Sequence, residues 1–436
     1  GLDGGSTSTK AVLIDEDRNV IAKAYQLSKG NPIEDTKAMF AALRRQIEEQ
    51  GCRLEILGVA TTGYAKDMLK DVLCADIALV ETVAHTQSGL HYYPHADVVC
   101  DVGGQDIKII MLKNGVVKDF KLNSQCSAGN GYYLQATAEA FGYDVRDYAS
   151  TAFTAKQMPR FGYGCAVFLQ SDIVDFQRQG WKPNEILAGL AAVLPKNIWL
   201  YVCKMPNLAR LGKTFILQGG TQHNLAAVKA QVDYIESKFL GTGVTPEIVV
   251  HEHCGEAGAI GCAFEAHRMC VEEGHRTEFI GLDAVAALTY STDRDDSTRC
   301  VYCRNRCLRT FIDIDTPHQG NRRLIIAPCE KGSCEDINAV RTLNRNTRGV
   351  ADENPDLAAA AARSAFVPVD VPLISRGGGL GRSFLARLSG RRHKIGQRSD
   401  IRIGMLRILN FYDLGPFFMG FFQSLGICPE NLVWSD

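Results

Sequence analysis

Apolar and polar positions recur at different spacings along the chain, and each change of spacing marks an element. Leu2 opens a short apolar strand that reaches Asp3, the polar run Gly4-Gly5-Ser6-Thr7-Ser8-Thr9 turns the chain, and residues 10–15 read as the returning strand of a hairpin. Residues 36–50 then carry apolar side chains at helical spacing, and 56–61 form a short apolar strand ending in Thr62-Gly63-Tyr64. At 98–101 the opening pattern returns: an apolar strand, an Asp, the pair Gly103-Gly104, and a second apolar strand over 107–112. A strand-turn-strand unit that occurs twice predicts two similar α/β lobes facing one cleft.

Helical spacing continues at 131–141, 167–177, 182–203 and 223–236, and a strand at 214–217 leads into Gln218-Gly219-Gly220-Thr221. Residues 255–270 form a helix rich in small side chains, able to pack closely. Past Cys270 a polar stretch at 291–299 leads to Cys300, Cys303, Cys307, Cys329 and Cys334. Residues 344–400 contain an Ala run, three consecutive glycines and the basic group Arg387, Arg391, Arg392 and Lys394, and read as linker. A strand at 401–405, a Phe-rich helix and a strand at 431–434 close the sequence. The expected organisation is a two-lobed domain over 1–270 (about 1–100 and 101–270), a Cys-rich metal-binding segment over 271–343, a linker over 344–400, and the start of a further α/β domain at 401–436.

Composition narrows the partners. A length of 436 residues suits about three domains at ~100–200 residues each. The formal charge of -1 gives no electrostatic case for nucleic acid or an acidic membrane. No uninterrupted apolar run reaches the ~18–20 residues that span a bilayer. The 15 cysteines are irregularly spaced and accompany Gly-rich loops, which points to a reducing, cytoplasmic setting. The chain opens on Gly1-Leu2-Asp3, inside a strand and without Met, and stops soon after a new domain begins, so it is expected to be a segment of a longer polypeptide.

An Asp beside a Gly pair lets the backbone approach phosphate oxygens while the carboxylate holds hydrated magnesium. Asp3 and Asp101 are therefore the metal-side candidates. One Asp-Gly turn is an ordinary hairpin feature, but two, with Gly219-Gly220 ending a third strand, make a phosphate-binding set. Cys126 and Cys165 each stand just ahead of a predicted helix, whose free N–H groups and partial positive charge stabilise thiolates. Two thiolates make half of a site that normally takes four ligands, so the other half must come from a second copy or domain. Cys300-x2-Cys303-x3-Cys307 with Cys329 suits zinc or a second iron-sulfur cluster, and Cys334 is a spare ligand. Cys52, Cys74, Cys100, Cys203, Cys262 and Cys270 are expected to be buried structural thiols. His85 and the His251-Glu252-His253-Cys254 group are expected to be structural, since no fourth ligand accompanies them.

Residues 3–10, 101–106 and 218–224 resemble the two phosphate loops and the adenosine loop of the ATPases that group actin, sugar kinases and the heat-shock chaperones. Within that superfamily Gly-Ser-Thr-Ser-Thr-Lys, Asp-Val-Gly-Gly-Gln-Asp and the contexts of Cys126 and Cys165 are similar to the ATP-dependent activators of 2-hydroxyacyl-CoA dehydratases and the ATPase subunits of benzoyl-CoA reductase. The resemblance runs from Gly1 to about His267. The adenosine loop reads Gly-Gly-Thr-Gln-His-Asn where activators usually have Gly-Gly-Val-Ala-x-Asn, and Gly4 stands where a β-branched residue is usual.

The resemblance implies the two-lobed ATPase fold, with ATP, Mg2+ and a 4Fe-4S cluster bridging two subunits. Asp3, Asp101 and Gln105 would serve magnesium, water and hydrolysis; Gly4, Gly5, Ser6, Thr7, Lys10, Gly103 and Gly104 the phosphates; Gly219, Gly220 and Asn224 the nucleoside. Cys126 and Cys165 would hold the cluster. Implied partners are a second copy or homologous upstream domain, a dehydratase or reductase iron-sulfur protein, and a flavodoxin- or ferredoxin-type donor. Residues 401–436 resemble the opening of the dehydratase-like region in long fused activator-dehydratase proteins. Two other readings stand beside this one: a sugar-kinase-like phosphotransferase, which has no use for Cys126 or Cys165, and a non-catalytic scaffold domain of a fused protein.

Overall fold

Two five-stranded sheets share one topology. In the first, β1 (Leu2–Gly4), β2 (Ser8–Ile14), β3 (Val20–Leu27), β4 (Ala60–Thr62) and β5 (Ile77–Ala78) lie in the order β3-β2-β1-β4-β5. In the second, β6 (Val98–Val102), β7 (Ile107–Lys113), β8 (Val116–Asn123), β9 (Thr214–Gln218) and β10 (Glu247–Val250) lie in the order β10-β9-β6-β7-β8. Read from β8, this is the first order again, with antiparallel hairpins on one side of the central strand and parallel strands on the other. The repetition reaches single residues: Asp3 pairs with Lys10 across the first hairpin and Asp101 with Lys108 across the second. The computed structural model describes residues 1–123, 130–316, 320–354, 356–367, 400–408 and 410–435. They fall into two units, Gly1–Thr298 with Thr310–Ile326, and Arg299–Arg309 with Ala327–Asp436.

Helices cover the sheets of the first unit. They are α1 (Pro32–Glu49), α2 (Lys66–Leu73), α3 (Glu81–Tyr92), α4 (Gly131–Ala140), α5 (Tyr148–Phe153), α6 (Ala166–Arg178), α7 (Pro183–Lys196), α8 (Leu225–Phe239) and α9 (Ala257–His267). The start of α1 is set by Asn31, whose side chain accepts the N–H groups of Ile33 and Glu34, and by Pro32 in the first turn. Its buried row Ile33, Met39, Phe40, Leu43 and Ile47 joins the core of the first lobe. Each such side chain contributes about 1.5–3 kcal/mol on burial, which decides the matter for a helix that is marginal alone in water. In the second lobe alternate residues of β6, β7 and β9 (Val98, Cys100, Ile107, Ile109, Phe215, Leu217) pack with Leu134, Tyr148, Ile186, Leu190 and Trp199. The helical run Pro183–Val202 is 20 residues long and apolar enough to cross a bilayer, but 67% of its most apolar window is buried in this core. The small-residue helix α9 packs as closely as expected: a Cβ on Gly261 would stand 1.9 Å from the Ala84 carbonyl oxygen of α3.

Residues 271–343 do not form one segment. The helix Leu282–Ala287 and a three-stranded antiparallel sheet of β11 (Thr289–Asp293), β12 (Thr310–Thr316) and β13 (Gly320–Ile326) belong to the first unit, where Ile280, Val285, Leu288, Ile312 and Ile314 join the first lobe's core. The cysteines at 300–307, 329 and 334 belong to the second unit. The expected linker begins with helices, Ile337–Glu353 and Leu357–Ser364. Asp336 caps the first, and the Ala run that suggested a linker is itself a strong helix former. Residues 368–399, with the basic group around Arg391, lie outside the described residues. At the end of the chain the strands Ile403–Met405 and Leu432–Trp434 pair in parallel through the helix Phe411–Ser424, around Met405, Met419, Ile427 and Leu432.

Candidate functional site

The two hairpins and the loop after β9 surround a cavity of about 1150 Å3. Its lining includes Asp3, Gly5, Ser6, Thr7, Lys10, Asp101, Gly103, Gly104, Gln105, Gly219, Gly220 and Asn224, so one cleft brings together every nucleotide-side candidate but Gly4. Gly4 is a packing glycine, since a Cβ there would stand 2.5 Å from Leu69 Cδ1 on α2. The lobes meet across the cleft. Ser6 Oγ donates to Gln105 Oε1 at 2.8 Å, and a Cβ on Gly104 would fall 2.4–2.5 Å from the Thr7 side chain.

Lysines answer the aspartates in both loops. Lys10 Nζ lies 3.1 Å from Asp3 Oδ2, and Lys108 Nζ lies 3.2 Å from Asp101 Oδ2, 2.7 Å from Asp106 Oδ2 and 2.6 Å from Glu81 Oε2. Burial disfavours the charge on Lys108, but the three carboxylates outweigh it and raise its pKa. Burial likewise opposes ionisation of Asp101, yet His85, Lys108 and Lys10 hold its carboxyl below the ordinary range. His85 Nδ1 stands 3.1 Å from Gln218 Oε1 and 3.6 Å from Asp101 Oδ1, so this nitrogen carries the proton. A Cβ on Gly258 of α9 would stand 3.0 Å from Asp3 Oδ2 and 3.1 Å from His85 Nε2, which puts His85 at the floor between the two aspartates.

Sequence reasoning missed Lys108, Glu81, Asp106 and the position of His85. A signal for Lys108 existed, because Asp101 and Lys108 repeat the seven-residue separation of Asp3 and Lys10.

The third loop is made by backbone shape. Gly219 has a φ of 93°, and a Cβ there would meet Val102 O at 2.3 Å and Asp101 Oδ1 at 2.7 Å. Asn224 caps α8 by accepting the N–H groups of Ala226 and Ala227. Its Nδ2 and Thr7 Oγ1 are buried without a partner among the described residues, two polar atoms a ligand in the cleft would satisfy. Tyr25, from β3, crosses to the second lobe and meets the His223 ring edge-on at 5.7 Å.

Cys165 is the N-cap of α6 and half-buried. Gly164 donates its N–H to Asn197 Oδ1 at 2.8 Å, and Tyr133 Oη lies 3.4 Å from Ala166 O. Cys126 lies outside the described residues, in the 124–129 segment between β8 and α4. The start of α4 holds the Gly103-Gly104-Gln105 loop by its carbonyls. Gly131 N–H donates to Gly103 O at 3.0 Å, Tyr132 N–H to Gly104 O at 2.8 Å, and Asn130 Nδ2 to Gln105 O at 2.8 Å.

Among the described residues no group of three or more His, Cys, Asp or Glu side chains is placed to hold a metal ion. The expected site at Cys300, Cys303, Cys307 and Cys329 is thus not assembled. Cys300 N–H bonds Cys307 O at 2.9 Å, and Cys300 is buried while Cys303 and Cys329 are exposed. His251 is a core histidine: His253 N–H donates to its Nδ1 at 2.9 Å, Ser88 Oγ lies 3.2 Å from its Nε2, and burial pushes its pKa down to about 3. Cys100, Cys203 and Cys262 are buried as expected, whereas Cys52 is exposed and Cys74 and Cys270 are half-buried.

A model of the BadF/BadG/BcrA/BcrD ATPase family matches residues 1–266. The (R)-2-hydroxyglutaryl-CoA dehydratase activating ATPase of Acidaminococcus fermentans is 24% identical over 271 residues, covering 62% of this chain and 96% of that protein. The 2-hydroxyisocaproyl-CoA dehydratase activator of Clostridioides difficile is 27% identical over 270 residues, 61% of this chain and 93% of that one. A solved structure of the latter activator from Clostridium difficile with bound ADPNP superposes with a TM-score of 0.54 at 25% identity, over 63% of this chain and 96% of that one.

Proposed function

The chain belongs to the BadF/BadG/BcrA/BcrD ATPase family, and from that premise we propose that it uses ATP to drive transfer of one electron from a subunit-bridging 4Fe-4S cluster to an iron-sulfur partner of the 2-hydroxyacyl-CoA dehydratase or reductase type. The observation that carries this reading is the triple hydrogen-bonded seam between Gly103-Gly104-Gln105 and Asn130-Gly131-Tyr132. Any movement of the second phosphate loop is passed to the start of α4, and Cys126 is four residues upstream of Asn130. Tyr133 extends the path to Ala166, beside Cys165.

Asp3 and Asp101 would organise magnesium and the attacking water, with Gln105 orienting it. Ser6, Thr7, Lys10, Gly103 and Gly104 would bind phosphates, and Gly219, Gly220 and Asn224 the nucleoside. Cys126 and Cys165 would supply two of four cluster ligands, the others coming from a second copy or a homologous upstream domain. Bound there, the cluster supplies a single transferable electron, replenished by a flavodoxin- or ferredoxin-type donor. Cys165 fits such a role, being half-buried at the head of a 13-residue helix where thiolates are favoured. The acceptor is a separate protein or the dehydratase-like region that 401–436 resembles. A sugar-kinase role needs a carboxylate poised as a base, yet of the acidic side chains lining this cleft Asp3, Glu81, Asp101 and Asp106 are bound to lysine, Asp144 to Arg146 and Glu139 to Gln135.

The test is iron and sulfide content with electron paramagnetic resonance on anaerobically purified wild type, Cys126→Ala and Cys165→Ala. Both variants are expected to lose the cluster signal. Full cluster content in either one overturns the proposal.

A further inference from the structure

Asn197 has no exposed surface and stands where regular α7 passes into a π-helical turn, Asn197–Val202. The distortion has a cause in the sequence. Pro195, inside the helix, has no N–H to give and crowds the preceding turn, and the chain leaves α geometry directly after it. A π turn widens the helix and re-aims the side chains it carries, which is why such turns gather at functional sites. The side chain re-aimed here is that of Asn197. Its Oδ1 accepts the Gly164 N–H at 2.8 Å in a fully buried bond. Gly164 has a φ of 139°, a conformation that side-chain-bearing residues rarely adopt, and Cys165 follows it directly. Asn197 Nδ2 has no partner among the described residues.

We propose that Asn197 is the positioning residue for Cys165. By holding the Gly164 N–H it fixes the peptide ahead of the thiol, so that Cys165 is presented at the head of α6 with one orientation. What Cys165 holds rests on the cluster reading above; how it is held does not. The role goes beyond packing because it depends on an acceptor at Oδ1, which Asp can replace and Ala cannot.

The experiment is alkylation of the cluster-free chain with iodoacetamide, read at each cysteine by peptide mass spectrometry. Asn197→Ala is expected to label Cys165 at least about fivefold faster than wild type, because the freed peptide samples exposed orientations. Asn197→Asp, which keeps the acceptor, is expected to label no faster than wild type. Cys100, buried in the second core, reports whether the fold is intact. If Asn197→Ala exposes Cys100, the comparison passes to Asn197→Leu, which withdraws the acceptor but fills the space. Equal Cys165 rates in wild type and the acceptor-less variant, with Cys100 protected, overturn the proposal. So does Asn197→Asp labelling as fast as the acceptor-less variant. Iron counting on Cys165→Ala separates the two ideas: retained iron ends the cluster reading and leaves the alkylation result standing.

Discussion

Replacing Lys108 with Met keeps most of the side chain's length and removes its charge from a point where oxygens of Glu81, Asp106 and Asp101 lie 2.6, 2.7 and 3.2 Å away. The three carboxylates are not equally affected. The side chains of Glu81 and Asp106 are 28% and 27% exposed, so water absorbs much of their mutual repulsion, whereas that of Asp101 is 3% exposed. Removing one partner of a buried pair costs about 3–5 kcal/mol, and with two of three carboxylates hydrated the low end, about 3 kcal/mol at neutral pH, is expected. The pH dependence follows from Asp101. In the wild type its folded pKa lies below the ordinary value, so its contribution is present above the ordinary carboxylate range and is lost as pH falls through the folded value. In Lys108→Met burial is opposed mainly by His85 and Lys10, the folded value rises, and the deficit grows as pH rises. Urea unfolding followed by circular dichroism at about pH 5 and pH 7 measures both terms. A neutral-pH deficit under about 1 kcal/mol, the worth of a surface pair, would refute the reasoning. So would a deficit that does not shrink toward the acid side.

Gly219→Ala places a methyl group against Val102 O and Asp101 Oδ1 at a φ of 93°, so ATP affinity measured by calorimetry should fall at least about tenfold, and unchanged affinity would remove Gly219 from the nucleoside loop. His251 is held neutral, with a folded pKa of about 3 against about 6.5 unfolded, so stability from it is complete above the unfolded value and is lost as pH falls from 6.5 toward 3. That loss is at most about 4–5 kcal/mol. His251→Gln should flatten the acid limb of the stability curve by a measurable part of it, and an identical limb in the variant would sink the assignment.

The doubled architecture was legible because a strand-turn-strand hairpin is local: residues 3–10 and 101–108 carry their own turn chemistry and apolar strands. That Gly5, Gly103 and Gly104 would lie in turns lining one cleft was legible for the same reason. Lys108 was not, since its importance depends on Glu81 of α3, 27 positions earlier and brought in only by the lobe's packing. His85 was expected to be structural, and its seat between Asp3 and Asp101 was not legible because it is tertiary. The sheet β11-β12-β13 was hidden by the cysteines that interrupt it, as its strands pair across an excursion of the chain into the second unit. That Gly4 packs against Leu69 was not legible, because a glycine that contacts phosphate and one that admits a neighbouring side chain look alike in sequence.

The paired hairpins also set the sign of the field that a nucleotide meets. Lys10 and Lys108 are the lysines that line the cleft, and each is already engaged by carboxylates, four in all: Asp3, Glu81, Asp101 and Asp106. Carboxylates outnumber lysines on these loops, so a bare triphosphate laid against them, as the proposed function has it, would be repelled by the side chains that face it. Under the proposed reading, charge balance would make the divalent cation a condition of entry, so that occupancy of this cleft would track the metal-complexed nucleotide rather than total nucleotide.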